Sequence, residues 1–82
     1  MKLAPDTRFG LFAGLEEQHG LPAGLLEQVM QKESRGNLLA ESPRGALGPF
    51  QFMPATAKEL GVTDRTSSEQ SAPAAAKYLA GH

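Results

Sequence analysis

The sequence has 82 residues and a mass of 8.7 kDa, which allows one domain with a small core. It contains no cysteine, so disulfide frameworks, thiolate zinc sites and cysteine nucleophiles are excluded. Eight basic and nine acidic residues give a formal charge of −1, which argues against the basic surface that nucleic acid or anionic lipid requires. We therefore expect a single domain over residues 1–82 with a neutral or weakly charged partner, no nucleic acid, no metal and no cofactor.

The N-terminal stretch MKLAPDTRFG lacks the uninterrupted apolar run of a secretory signal. No later run approaches the length of a membrane span. We therefore expect a chain with no signal peptide and no membrane span.

The first half of the sequence carries start and stop signals for two helices. The first helix is predicted over residues 7–19, with Asp6 as a candidate N-cap and Gly20 as its stop. The second is predicted over residues 22–34, because a proline suits the first helical turn and Gly36 follows the last apolar residues.

The second half predicts two further helices after a glycine- and proline-rich loop. The glycines and prolines of residues 35–49 indicate an ordered loop. Strands are expected nowhere else than in a short hairpin within this glycine-rich middle of the sequence. A third helix is predicted from Pro54 to just before Gly61, and a fourth from the Ser67 region to Gly81, where Ser67 and Gln70 have the spacing of a capping box. The fourth helix carries a stripe of mostly small residues that would let another helix come close: Ala72, Ala75, Ala76 and Leu79.

Glu33 lies within the apolar stripe of the second helix. The stripe consists of Leu25, Leu26, Val29 and Met30. At about 100° per residue, Glu33 falls near the centre of this stripe, whereas the other polar residues of the helix lie on the opposite side. Burial and the negative end of the helix dipole would both favour the protonated carboxyl, which a general acid needs. Two alternatives stay open: the helix frays before Glu33, or Lys32 or Arg35 neutralises it at the surface.

The segment that begins at Glu33 contains a long, ordered set of motifs. Glu33-Ser34-Arg35-Gly36-Asn37 is followed by Ala40, Ser42, Gly45-Ala46-Leu47-Gly48 and Gln51-Phe52-Met53-Pro54-Ala55-Thr56-Ala57. The set resembles the soluble lytic transglycosylases (SLT family), goose-type lysozyme-like enzymes that cleave peptidoglycan. The resemblance implies an all-α, lysozyme-like (goose-type) domain of about four helices with an ordered loop between helices 2 and 3.

The sequence also departs from the family pattern. Gly36, Leu38 and Pro49-Phe50 replace residues common in the family, which changes loop packing more than chemistry. The family's later helices, which carry an Ala-Tyr-Asn-Ala-Gly motif beside the active site, have no counterpart before His82. Because their absence would expose apolar surface, we expect the chain to form a homodimer or to bind a partner chain over that face.

The resemblance implies a role for Glu33 as the catalytic residue. It would protonate the glycosidic oxygen of the MurNAc–GlcNAc β-1,4 bond, then accept the proton of the muramic acid 6-hydroxyl as that hydroxyl closes a 1,6-anhydro ring. The residues that the resemblance or their position predicts at the glycan are Ser42, Gln51, Met53, Thr56 and Tyr78. For several of these a structural role is an open alternative: a turn hydroxyl for Ser42, core packing for Met53 and Tyr78, and a helix end for Thr56.

Other functions compete with a lytic transglycosylase. In a hydrolytic muramidase, water would replace the 6-hydroxyl, with Glu41 as the candidate second carboxylate. A catalytically incomplete module would bind glycan or serve a cell-wall or virion assembly, and a helix-turn-helix DNA-binding protein is disfavoured by the balanced charge. We expect peptidoglycan strands as the partner and action on the cell wall, in the periplasm or other extracytoplasmic space or from a phage virion.

Overall fold

The computed structural model of the chain describes residues 4–81, with side chains described from residue 10 onward. Over this range the chain forms four helices: α1 (Ala4–His19), α2 (Leu25–Ser34), α3 (Pro54–Leu60) and α4 (Ser68–Gly81). The predicted all-α class is confirmed. In residues 4–81 the only strand-like pairing is a pair of isolated bridges, Glu41 with Leu47 and Leu47 with Phe52, which lie where the hairpin was expected.

None of the helices in residues 4–81 combines the length and apolarity needed to cross a bilayer.

Two predicted helix starts are wrong. Residues 4–6 are already helical, so Asp6 lies inside α1 rather than at its N-cap, and its side chain is outside the described residues. Helix α2 begins at Leu25 rather than Pro22, because Gly24 has a φ of 87°, a left-handed conformation that an α-helix cannot contain. The preceding residues form a turn in which the Leu25 N–H donates to the Pro22 carbonyl at 3.2 Å.

The start of α2 is capped by a side chain from α1. The carboxylate of Glu16 is buried, with 4% of the residue exposed. Its Oε1 accepts a hydrogen bond from the Gly24 N–H at 3.0 Å, and its Oε2 accepts one from the Leu26 N–H at 2.8 Å. A negative charge at a helix N-terminus is favoured by the free N–H groups and by the helix dipole. Glu16 therefore fixes where α2 begins and how it lies against α1.

The end of α2 is closed by local hydrogen bonds. The Ser34 hydroxyl donates to the Met30 carbonyl at 3.0 Å and accepts from the Gly36 N–H at 3.2 Å. Arg35 has a left-handed φ of 57°, and its N–H donates to the Gln31 carbonyl at 2.9 Å. These bonds stop the helix at Ser34, so Glu33 stands in the last turn.

The core is built around the alanine stripe of α4. Ala72, Ala75 and Ala76 are buried, and their small side chains let α4 pack closely on α1 and α2. This prediction is confirmed, although Leu79 at the end of the stripe is exposed. Large side chains from the other elements complete the core: Phe12, Leu15, Leu26, Met30, Phe50, Phe52 and Val62.

The start of α4 follows only half of the predicted capping box. The Ser67 hydroxyl accepts a hydrogen bond from the Gln70 N–H at 3.3 Å, as predicted. The Gln70 side chain does not return to Ser67, because its Oε1 accepts from the N–H and hydroxyl of Thr63 and from the N–H of Asp64. Gln70 thus connects α4 to the loop that follows α3.

The ordered loop between α2 and α3 packs tightly on the segment before α4. Gly48 has a φ of 95°, and a Cβ built on it would lie 1.8 Å from the Arg65 carbonyl oxygen. Only glycine permits this approach. Gly45 in the same loop has a similar φ of 97° but has nothing within 4 Å of an added Cβ.

Replacing Glu16 by Gln should lower the free energy of unfolding by about 1–3 kcal/mol, because the amide can accept through one atom only and leaves a buried N–H without a charged partner. Urea unfolding followed by circular dichroism measures the change. The matched control is Glu17→Gln on the exposed side of the same helix, which should stay within about 0.5 kcal/mol of the native chain. Equal effects of the two changes would contradict the role given to Glu16.

Comparing Gly45→Ala with Gly48→Ala separates the cost of a positive φ from the cost of a clash with the Arg65 backbone. Gly45→Ala should cost about 1–3 kcal/mol, because alanine is strained at positive φ. Gly48→Ala carries the same strain and also clashes with the Arg65 backbone, which should add about 2 kcal/mol. Urea unfolding of both variants measures the two losses in the free energy of unfolding. Equal losses would contradict the prediction that the clash with the Arg65 backbone destabilises the Gly48 variant further.

Candidate active site

A groove of about 250 Å³ opens where the end of α2 meets the start of α3 and the last turns of α4. Its walls come from α2, the 50–53 segment, α3 and α4, and are lined by Val29, Glu33, Phe50, Gln51, Phe52, Met53, Thr56, Ala75, Tyr78 and Leu79. Most of these side chains are apolar or aromatic. A groove with an apolar lining and a few polar groups is typical of a small-ligand site.

Glu33 lines this groove from the last turn of α2. Its side chain is exposed, so the expected burial is wrong. The apolar stripe of α2 divides: Leu26 and Met30 enter the core, whereas Val29 and Glu33 face the open groove. The stripe therefore located Glu33 on the correct side of the helix but did not distinguish a core from a groove.

Both alternatives considered for Glu33 are wrong. The helix does not fray before this residue, since α2 continues to Ser34. No ion pair joins it to Lys32 or Arg35 among the side chains that the structure describes. Its carboxylate is thus available to a ligand in the groove.

Gln51 presents a hydrogen-bond acceptor to the groove. Its Nε2 donates to the carbonyls of Ala40 and Gly48, both at 2.9 Å, so the two amide hydrogens are used within the loop. The Oε1 atom is left as the acceptor for a ligand. Gln51 also has a φ of 53°, a conformation that is unusual for a residue other than glycine and is often found at functional sites.

Three further residues that were predicted at the ligand line the same groove. Met53, which is 41% exposed, precedes α3 in an extended conformation, so the alternative of core packing does not apply to it. Thr56 lies in the first turn of α3 and is half-buried at the groove. Tyr78 from α4 is 51% exposed and lines the groove rather than covering the core.

The groove therefore brings together one carboxyl, one amide acceptor, one threonine hydroxyl and a phenol over an apolar surface. A scan against family models identifies residues 10–82 as a transglycosylase SLT domain. The chain belongs to the transglycosylase SLT domain family. The family resemblance that the motifs predicted is confirmed.

Relatives of this SLT domain come from phages and bacteria. The peptidoglycan transglycosylase gp16 of Escherichia phage T7 is 40% identical over 98% of the chain, which spans 7% of the phage protein. The membrane-bound lytic murein transglycosylase F of Salmonella typhi is 44% identical over 67% of the chain and 12% of its own length. A transglycosylase of Enterobacteria phage PRD1 is 51% identical over 57% of the chain and 18% of its own length. The chain thus spans a small part of each of these relatives.

Ser42 of the SLT domain does not line the groove. Its hydroxyl oxygen accepts hydrogen bonds from the N–H groups of Arg44 at 3.2 Å and Ala46 at 3.0 Å, so it shapes the turn that it begins. The hydroxyl hydrogen is not used in these bonds, and contact with substrate stays a prediction. Glu41, the candidate second carboxylate, pairs through its backbone with Leu47 and also lies outside the groove lining.

Asp64 of the SLT domain, whose pKa is lowered by its neighbours, also lies outside the groove. The hydroxyl of Thr66, and then its backbone N–H, hold the pKa of the exposed Asp64 below its ordinary value. Asp64 belongs to the loop between α3 and α4, where these bonds form a turn before α4 begins. Among the described residues, the groove lining contains one carboxylate, that of Glu33.

Motif reasoning missed the apolar residues of the groove. Val29, Phe50, Phe52, Ala75 and Leu79 line it, although none was predicted there. Val29 precedes Glu33 by one helical turn, so helical spacing was a signal that could have found it. Ala75 likewise precedes the predicted Tyr78 by three residues on α4, so the same spacing could have found it. The two phenylalanines had no helical signal, because they lie in the irregular segment before α3.

Proposed function

We propose that this chain is a catalytic SLT domain that cleaves the MurNAc–GlcNAc β-1,4 bond of peptidoglycan as a lytic transglycosylase. The observation that carries the proposal is the position of Glu33, in the last turn of α2 and open to a largely apolar groove. Membership of the SLT family and the names of the phage and bacterial relatives support it.

In this proposal, Glu33 acts first as acid and then as base. Its carboxyl proton passes to the glycosidic oxygen, the bond to the anomeric carbon breaks, and GlcNAc leaves with a free 4-hydroxyl. The resulting carboxylate then accepts the proton of the muramic acid 6-hydroxyl while that oxygen bonds to the anomeric carbon. Glu33 regains its proton, a 1,6-anhydro end forms, and no water is consumed. One carboxyl is sufficient for this sequence of steps. Among the described residues, Glu33 provides the one carboxyl in the groove lining.

The groove chemistry also fits a glycan. Sugar rings and N-acetyl methyl groups would pack on Met53, which is 41% exposed, and on the small exposed parts of the largely buried Phe50 and Phe52. The Gln51 Oε1 would accept a hydrogen bond from a sugar hydroxyl or an N-acetyl N–H. Thr56 and Tyr78 would add hydroxyl contacts at the sides, and Ser42 is proposed as an additional contact from the adjacent loop.

We propose that the chain acts on the cell wall, outside the cytoplasm or from a phage virion. The support is the kind of protein that it is similar to, since the relatives are named as phage peptidoglycan and membrane-bound murein transglycosylases. The proposed partner is therefore the peptidoglycan strand itself.

Replacing Glu33 by Gln tests the proposed reaction. The native chain should release anhydro-muropeptides from purified peptidoglycan, and Glu33→Gln should lower their yield by about 100-fold or more, because the amide cannot donate and then accept the proton. Mass spectrometry of the soluble products measures both. Glu59→Gln on the exposed side of α3 is the matched control and should keep native activity.

The products also separate the alternatives. Reducing MurNAc ends would mean hydrolysis, and Glu41→Gln would then test the second carboxylate. No product from a folded native chain that still binds glycan would mean a binding or structural module and would overturn the proposed activity.

We also propose that the chain self-associates. Exposed apolar side chains away from the groove support this proposal: Leu38 is 42% exposed and Leu39 is 72% exposed in the loop after α2. Light scattering should show the mean mass rising with concentration in the micromolar range, and Leu39→Asn should reduce the rise if the loop takes part. A constant monomer mass would contradict self-association.

A further inference from the structure

We infer that Arg65 is a positioning residue for the groove: it holds the loop that carries Gln51 and Phe52, although it lies outside the groove itself. This inference rests on the proposed function, because it assigns a role to Arg65 in glycan binding. Arg65 lies in the segment between α3 and α4 and is half-buried. It belongs to none of the motifs that indicated the active site.

The guanidinium of Arg65 bonds to two separate points of the loop. Its Nη1 donates to the carbonyl oxygens of Gly45 and Phe52, both at 2.9 Å. An Nη atom carries two hydrogens, so each carbonyl can receive its own hydrogen bond. The Phe52 carbonyl also accepts the Leu47 N–H at 3.1 Å, so Arg65 binds where the loop already closes on itself.

The charge of Arg65 is directed to these carbonyls. Among the side chains described for residues 10–81, no carboxylate forms an ion pair with it. Hydrogen bonds from a charged donor are stronger than those between neutral groups. The guanidinium therefore acts on the loop backbone.

The backbone of Arg65 connects the same loop to α4. Its carbonyl oxygen accepts a hydrogen bond from the buried Ser71 hydroxyl at 3.1 Å. The same carbonyl stands against Gly48 on the loop side. Arg65 thus joins the loop to the helix that contributes Tyr78 and Leu79 to the groove.

The position of Gln51 depends on the geometry of this loop. Its side-chain amide donates to the carbonyls of Ala40 and Gly48, and the Gly48 N–H donates to the same Ala40 carbonyl at 2.9 Å. If residues 45–52 shift, the Gln51 amide loses these acceptors and its Oε1 no longer has a fixed direction. Glu33 lies on α2, outside this hydrogen-bonded loop, and should keep its place.

The test compares the native chain with Arg65→Met, Arg65→Lys and the control Arg44→Met. Methionine retains an apolar stem without donors, whereas lysine retains a charge and donors. Arg44 is exposed in the same loop, and only its backbone N–H makes a hydrogen bond. Two readouts are needed: solvent exchange of the Gln51 side-chain amide hydrogens by NMR without ligand, and initial rates on soluble, uncrosslinked peptidoglycan strands.

In Arg65→Met, the Gln51 amide hydrogens should exchange at least about tenfold faster, while the backbone amide of Met30 in α2 is unchanged. KM should rise about tenfold and kcat should change by less than about twofold, because the binding loop moves and Glu33 does not. Arg65→Lys should recover part of both effects, and Arg44→Met should match the native chain.

Faster exchange at Gln51 and Met30 together would mean general destabilisation and would overturn the inference. Unchanged exchange at Gln51, or a loss in kcat rather than KM, would also overturn it. If the native chain shows no turnover, the proposed function fails, and the exchange measurement still decides whether Arg65 positions Gln51.

Discussion

The hydrogen bonds from Glu16 to the start of α2 are the interaction on which the candidate site depends. Helix α2 has ten residues, and a buried carboxylate from α1 holds its first N–H groups at 2.8 and 3.0 Å. Because a helix is rigid along its axis, fixing one end also sets the position of Glu33 at the other end. The carboxylate and the free N–H groups satisfy each other in a buried place where either alone would be costly.

The division of the α2 face between core and groove explains how one short helix serves stability and chemistry. Leu26 and Met30 are fully buried and attach the helix to the core. Val29 and Glu33, on the neighbouring part of the same face, line the groove, and Val29 also packs against the core. An acid that must meet a polymer needs this arrangement, since a fully buried carboxyl could not reach a glycosidic oxygen. The apolar groove lining then supplies the contact surface that the proposed glycan needs.

The loop between α2 and α3 is irregular in backbone yet closely held. Its own hydrogen bonds connect Ala40, Gly48 and Gln51, and the approach of Gly48 to the Arg65 backbone leaves no room for a side chain. This construction allows Gln51 to keep a strained φ and leaves its amide oxygen unused by the loop. A loop without regular secondary structure can position groups in this way only when contacts from elsewhere in the fold determine its shape.

Four features of the structure could be predicted from the residues alone: the helical class, the start of α3 at Pro54, the Ser67 cap and the side of α2 on which Glu33 lies. These features depend on residues a few positions apart, so local signals are enough. The ordered motifs after Glu33 also identified the family. Three features could not be predicted in this way: the exposure of Glu33 in a groove, the position of Ser42 outside the groove lining, and the hydrogen bonds by which Glu16 and Arg65 hold α2 and the loop. The partners of Glu16 lie eight and ten residues away and those of Arg65 thirteen and twenty, and no helical or capping period links such positions. Their contacts exist only once the helices have packed.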